Sequence, residues 1–291
     1  MTALWLDGAL RSMESSPLGI LTHSLHYGTA VFDGCRFYRL PDGTLGAFRL
    51  RDHLKRLAAG ARSAFLELPY SEEQLVEGCR AVVRASGLDG GYLRQLVFFG
   101  DDEVGIGGKN ATRVAIMTWS RKSAPKPVRL RVAGFGHGAG WLPGTKLAGA
   151  YARSFLARRE AERTGSDDAV FLGPDGTISE ATAANVFAVV RGTLVTPPSW
   201  APILRGITRE SVLTLAAEAK IPCVEAPLRR DDLASASEAF LCSSAGEVNP
   251  IAAFEGRSFP APGPVTAELM RLFAGVAGGA DGVRRGWLEP M

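Results

Sequence analysis

Apolar residues return along the chain at two distinct periods. Between residues 51 and 67, Leu54, Leu57, Ala58, Ala61 and Phe65 fall on one face of a helix. A second helix is expected over about 72–87, where Ser71 followed three residues later by Gln74 forms a capping-box pattern. Strand-like runs follow at 92–99 and 112–119, and Asp7-Gly8 and Pro41-Asp42-Gly43 separate short apolar runs as hairpin turns do. The aperiodic, Pro-containing stretch 120–127 is expected to link two domains. Beyond it the pattern gives a strand (128–135), a Gly-rich loop (136–149) and a helix (150–164) ended by Gly165. Strands are expected near 169–173, 185–191, 222–228 and 238–243, and helices over about 208–219 and 264–275. This mixture predicts an α+β architecture in two lobes: a small α/β domain (1–119), the linker (120–127) and a larger domain (128–291), with ligand chemistry in the cleft between lobes.

Composition narrows the function classes. A chain of 291 residues with 46% hydrophobic and 22% charged content has the balance of an ordinary globular protein. A net charge of +3 and the absence of a basic stripe argue against nucleic acid. The cysteines at 35, 79, 223 and 242 have no metal or disulfide spacing, no leader-like segment opens the chain, and no run could cross a bilayer, so a cytoplasmic location is expected. No metal is expected: His23 and His26 lack companions that would complete a zinc set, and His53 reads as structural.

Two nucleotide motifs fail. Gly134-Phe135-Gly136-His137-Gly138-Ala139 follows a strand, but Pro143 falls where a phosphate-binding helix should begin. Gly107-Gly108-Lys109-Asn110 lacks both the leading Gly and the final Ser/Thr of a P-loop. Ser243-Ser244 has no evident His and Asp partners for a serine hydrolase.

The groups that remain suit pyridoxal 5'-phosphate (PLP). That cofactor needs a lysine for covalent attachment and proton transfer, and an acid at its pyridine nitrogen. Its phosphate needs backbone N–H groups, preferably at a helix N-terminus, and a cation. Lys146 lies among small residues (Gly144-Thr145-Lys146-Leu147-Ala148-Gly149) that leave room for a bulky group, although a lone loop lysine is more often merely solvated. Glu180 precedes Asn185 and an apolar strand, and Gly206-Ile207-Thr208 opens a helix.

These segments together resemble the class IV PLP-dependent aminotransferases, and among them the bacterial branched-chain amino-acid aminotransferases. The resemblance rests on His23-Ser24-Leu25-His26-Tyr27-Gly28-Thr29-Ala30-Val31-Phe32-Asp33-Gly34, Arg51–Leu57, Gly91-Tyr92-Leu93-Arg94, Glu180 with Asn185-Val186-Phe187, Leu204–Arg209, Ser243–Glu247 and Gly286-Trp287-Leu288. It implies the two-domain fold type IV, with a small N-terminal lobe and a larger C-terminal lobe, assembled as a homodimer or higher homo-oligomer in which each active site borrows a neighbour's loop. It further implies that Lys146 carries the cofactor, that Tyr151 lies beside the cofactor hydroxyl, and that Glu180 pairs with the ring nitrogen in front of Asn185. Arg56, Ile207, Thr208 and Ser244 would hold the phosphate. Tyr92 and the backbone at Ser244–Ala245 would take the substrate carboxylate, Phe32 and Tyr27 would wall the side-chain pocket, and Arg94 would suit a dicarboxylate. Asp33 stands where these relatives usually have Glu, Ser244 where they have Thr, and Gly246 where they have Ala. The segment after Trp119 is short and lacks a tyrosine that some relatives have.

The expected activity is transamination between a branched-chain or similar hydrophobic L-amino acid and 2-oxoglutarate. The alternatives are a 4-amino-4-deoxychorismate lyase, a D-amino-acid aminotransferase, a non-catalytic binding protein on this scaffold, and a reductase resting on the glycine loop alone.

Overall fold

The computed structural model describes residues 3–16, 18–101, 103–120, 126–136, 144–279, 281–282 and 285–291, so part of the expected linker (121–125) and His137–Pro143 of the Gly-rich loop lie outside the described residues. The chain divides into two units: residues 1–122, 145–150 and 275–291 form the first, and 123–144 with 151–274 the second. The division therefore does not follow the chain in the single step at 120–127 that the sequence suggests. The segment around Lys146 and the C-terminal segment both belong to the first unit.

The first unit begins with β1 (Ala3–Leu6), β2 (Ala9–Ser12), α1 (His23–Tyr27), β3 (Ala30–Arg39) and β4 (Leu45–Phe48). It continues with α2 (Leu50–Ser63), α3 (Glu72–Ser86), β5 (Gly90–Phe99) and β6 (Thr112–Trp119). The strands make one antiparallel seven-stranded sheet in the order C-terminal strand (Leu288–Pro290), β4, β3, β5, β6, β1, β2. Side chains alternate across it. Val31, Asp33, Cys35 and Phe37 of β3 and Leu93, Gln95 and Val97 of β5 are buried, and the apolar members join Leu50, Leu54, Leu57, Leu75 and Val76 of α2 and α3 in the core. Phe32, Gly34, Tyr92 and Arg94 occupy the other face. The capping box at Ser71 and Gln74 forms as expected. Phe65 does not join the core: α2 stops at Ser63, and Phe65 takes a positive φ of 57° and is 89% exposed. Periodicity alone does not show where a helix ends.

The second unit carries β7 (Val128–Val132), α4 (Tyr151–Arg163), β8 (Asp168–Leu172), β9 (Thr177–Ala181), β10 (Asn185–Val190), β11 (Thr193–Thr196) and α5 (Ile207–Glu218). After these come β12 (Cys223–Glu225), β13 (Leu228–Arg229), α6 (Arg230–Ser235), β14 (Glu238–Ser243), β15 (Glu247–Phe254), β16 (Arg257–Ser258) and α7 (Pro264–Ala277). Its ten strands form a mixed sheet, ordered β12-β11-β10-β14-β15-β7-β8-β9-β13 with β16 beside β15. The stretch expected as one strand at 222–228 is two short strands in different places, β12 against β11 and β13 against β9. In the interior, Phe187 and Phe240 stack at 4.9 Å. No helix among the described residues is long and apolar enough to cross a membrane.

Candidate active site

In the first unit, Lys146 is placed by its backbone. The Phe32 N–H donates to the Lys146 carbonyl at 3.1 Å, and Leu147 pairs with Val31, so this short segment lies along the edge of β3. Two glycines permit the approach. Gly28, in the left-handed region at φ 66°, accepts the Gly149 N–H on its carbonyl oxygen at 3.1 Å, and a Cβ on it would sit 2.5 Å from the Gly149 Cα. A Cβ on Gly60 of α2 would press on Thr145 at 3.2 Å. The Lys146 Nζ then stands 5.0 Å from the Phe32 ring centre.

Arg94 approaches the same ring from β5. Its guanidinium lies 4.4 Å from the Phe32 centroid and 5.6 Å from those of Tyr92 and Trp119, while its buried Nε has no hydrogen-bond partner. A cation held by aromatic faces is attracted by their quadrupoles. Gly34, opposite Arg94 in the register, makes room for the Tyr92 ring: a Cβ there would meet the Tyr92 hydroxyl at 2.6 Å. Burial pushes the Tyr92 hydroxyl up to about 12, against the opposing charge of Arg94, so it stays protonated and able to donate. The ring contacts of Tyr27 among the described residues are with His23 at 4.6 Å and His26 at 6.0 Å, not with Phe32.

On the helix-covered face, Asp33 accepts hydrogen bonds from His53 Nδ1 at 2.7 Å and from Arg56 Nε and Nη2 at 2.7 and 2.8 Å. Burial by itself would raise the Asp33 carboxyl, but the facing His53 and Arg56 outweigh it and hold the group well below the usual carboxylate range. Burial lowers His53, the nearby charges of Arg56 and Lys146 push the same way, and Asp33 only partly opposes them. The sequence pattern alone marks His53 as structural and does not connect it with Asp33. The available signal was an acid on the buried register of β3 and a His–Arg pair three apart on an amphipathic helix.

In the second unit, four candidate positions gather at one end of the sheet. Glu180 is the last residue but one of β9, and its Oε2 accepts the Leu204 N–H at 2.8 Å; Asn185 opens β10, and its Nδ2 donates to the Leu204 carbonyl at 2.9 Å. The two side chains thus grip both polar groups of Leu204 and fix the loop that feeds α5. That helix starts from Gly206 with no side-chain cap, and a Cβ there would clash with Asn185 Oδ1 at 2.1 Å. Asn185 pairs with Cys242, which brings the Ser243–Glu247 turn, with Ser244 half-buried and Ala245 exposed, to the same end. Tyr151 is the first residue of α4.

Residues 30–254 match the family model for amino-transferase class IV. The chain belongs to the class IV aminotransferases. It is similar to the branched-chain-amino-acid aminotransferase of Pseudomonas aeruginosa, 35% identical over 98% of this chain and 95% of the relative. Among solved structures it is similar to the branched-chain aminotransferase of Thermoproteus uzoniensis with norvaline, at a TM-score of 0.94 and 33% identity, covering 100% of this chain and 99% of the other. The branched-chain amino acid aminotransferase of Thermobaculum terrenum in its PLP form matches at a TM-score of 0.92 and 29% identity, covering 99% of this chain and 97% of the other.

This aminotransferase has the fold type IV architecture and uses PLP. The residues present fit that group. The uncapped start of α5 leaves backbone N–H groups suited to a phosphate, and Lys146 and Glu180 are an amine and a carboxylate of the required kinds. Among the described residues no cluster could hold a metal ion.

Proposed function

We propose that the enzyme moves amino groups between a branched-chain or similar hydrophobic L-amino acid and 2-oxoglutarate, with PLP carried on Lys146. The observation that carries this reading is the Arg94 guanidinium, held against the rings of Phe32, Tyr92 and Trp119 with its Nε unpartnered. Those rings can bury an aliphatic side chain, and the guanidinium can bind the second carboxylate of glutamate or 2-oxoglutarate. A transaminase must accept both kinds of substrate in turn.

The cofactor supplies a ring that draws electrons from the substrate's α-carbon. Lys146 would hold it covalently, and its Nζ would be the group that carries the α-proton. The Glu180 carboxylate keeps the proton on the ring nitrogen, and Asn185 holds the loop that Glu180 anchors. Tyr151 would lie beside the ring hydroxyl. Arg56, the N–H groups of Ile207 and Thr208, and Ser244 would hold the phosphate. Tyr92 and the backbone at Ala245 receive the α-carboxylate, and Tyr27 with Phe32 walls the side-chain pocket. We assign the enzyme to a homodimer or higher homo-oligomer, which the exposure of Ile20, Leu21, Leu25 and Tyr27 around α1 supports. A cytoplasmic location is part of the same reading, supported by four free cysteines.

A panel of amino donors with 2-oxoglutarate tests the activity, and borohydride reduction followed by peptide mapping tests the lysine. The expected result is turnover of leucine, isoleucine and valine, with reduced cofactor on Lys146. Cofactor on another lysine would overturn that assignment, and a donor panel without turnover would put the lyase reaction first.

A further inference from the structure

We infer that Asp33, backed by His53, is a positioning residue that sets the orientation of Arg56 and thereby how strongly the enzyme grips the cofactor phosphate. This rests on the placement of Arg56 at that phosphate proposed above.

The geometry is a fork. Arg56 uses Nε for Asp33 Oδ2 and Nη2 for Oδ1, a two-point contact that fixes both the plane and the rotation of the guanidinium. The carboxylate is itself fixed. Its Oδ1 also accepts from His53 at 2.7 Å and from the Gly34 N–H at 2.8 Å, and its side chain is 1% exposed. His53 and Arg56, three residues apart, project from one face of α2 toward β3. Because an ionised Asp33 only accepts, the His53 Nδ1 must carry its hydrogen, which settles that ring's tautomer at this position. Burial that favours a neutral His53 leaves Arg56 as the full positive charge facing Asp33.

A buried pair of this kind is a poor way to gain stability, since well-packed apolar residues of similar volume serve as well or better. What it does supply is direction. The same stretch of β3 also bonds the Lys146 carbonyl through the Phe32 N–H, so the strand that orients Arg56 is the strand that seats the lysine.

The test separates the phosphate from the rest of the cofactor. The full-length protein is stripped and titrated by visible absorbance with PLP and with pyridoxal, which lacks the phosphate; the dissociation constant of pyridoxal divided by that of PLP measures the phosphate grip. Arg56→Met should lower that ratio about 10- to 100-fold, the range expected for a lost hydrogen bond between charged groups. Asp33→Asn should lower it about 10-fold, and Asp33→Glu should keep it within about 3-fold of the parent protein. In the Arg56→Met background, Asp33→Asn should lower the ratio no further, because it acts through Arg56. If Asp33→Asn does not fold, His53→Phe, which removes one donor at similar volume, should lower the ratio about 3-fold. Arg56→Met lowering the ratio while Asp33→Asn or His53→Phe leaves it unchanged would overturn this inference alone. No effect of Arg56→Met would remove the placement of Arg56 and the inference with it, while leaving transamination to be judged by the donor panel.

Discussion

Arg94→Met separates the two jobs proposed for one side chain. Methionine keeps an unbranched apolar stem between the rings of Phe32, Tyr92 and Trp119 but carries no charge. The folded protein loses cation–π attraction of roughly 0.5–2 kcal/mol. It is also relieved of a buried Nε without an acceptor, a burden of about 1–3 kcal/mol of the opposite sign. These nearly cancel, so stability should change by no more than about 1 kcal/mol, or a few degrees in Tm. Catalysis should not be neutral. Losing a charge-assisted bond to the distal carboxylate costs about 1.5–3 kcal/mol, or roughly 10- to 150-fold in kcat/KM for glutamate and 2-oxoglutarate. Leucine, which offers no second carboxylate, should change by less than about 3-fold. Single-turnover kinetics on the two half-reactions, run beside thermal melts, give both readouts. Equal losses for leucine and glutamate would refute the shared-pocket reasoning, and a loss of many degrees in Tm would show that Arg94 is chiefly structural.

Glu180→Gln retains an oxygen for the Leu204 N–H but not the charge, so the protein should keep its cofactor by absorbance and lose about a hundredfold in kcat; a rate near that of the parent would mean another acid serves the ring. Gly28→Ala places a Cβ against Gly149 at a positive φ and should cost about 1–3 kcal/mol, with faster hydrogen exchange at the Phe32 amide that bonds Lys146; an unchanged melt and exchange rate would count against that packing. Stability should fall as the solution is acidified, in two stages. His53 is lowered in the folded state, so its contribution is present above about pH 6.5, the unfolded value, and is lost as pH falls below it; Asp33 contributes above about pH 4 and its share is lost in stronger acid. Denaturant melts of His53→Gln, which keeps a donor for Asp33, should lose the slope between about pH 7 and 5, and an undiminished slope would place the titrating group elsewhere.

Local physics in the first unit could be read from the sequence because each signal sits within a few residues. Ser71 and Gln74 cap α3 through a reciprocal pair three apart, and Asp7-Gly8 turns β1 into β2 with positive φ at both residues. The alternation Tyr92–Leu93–Arg94–Gln95 puts Tyr92 and Arg94 on one face, where the register places them. Long-range pairing was not readable. Leu147 joins Val31 across more than a hundred residues, and nothing in the composition of 144–149 announces that this segment belongs with β3. β15 escapes the sequence pattern because Pro250 breaks the expected strand signal, and β9 because it is a short run after the Asp175-Gly176 turn. At the candidate site, residue types and motif order were legible, and partners were not. Glu180 could be picked out, but its grip on Leu204, and the shared hold that Asn185 has on the same residue, depend on a return of the chain some twenty residues later.

The period of the strand also explains how β3 separates two arginines, Arg56 on α2 and Arg94 on β5, on its opposite faces. Successive side chains of β3 point to opposite faces, so Asp33 lies under α2 while Phe32 and Gly34 lie on the other side. The carboxylate therefore meets Arg56 and not Arg94, although Arg94 is directly opposite Gly34, the next residue along β3. Arg94 makes no ion pair with any described carboxylate; aromatic rings hold it instead. Had the acid stood one position earlier or later, it would have faced the Arg94 side of the sheet, and Arg56 would have lost its fork. A register step of one residue thus separates an arginine bonded to an internal carboxylate from an arginine that, on the proposed function, would meet an external one.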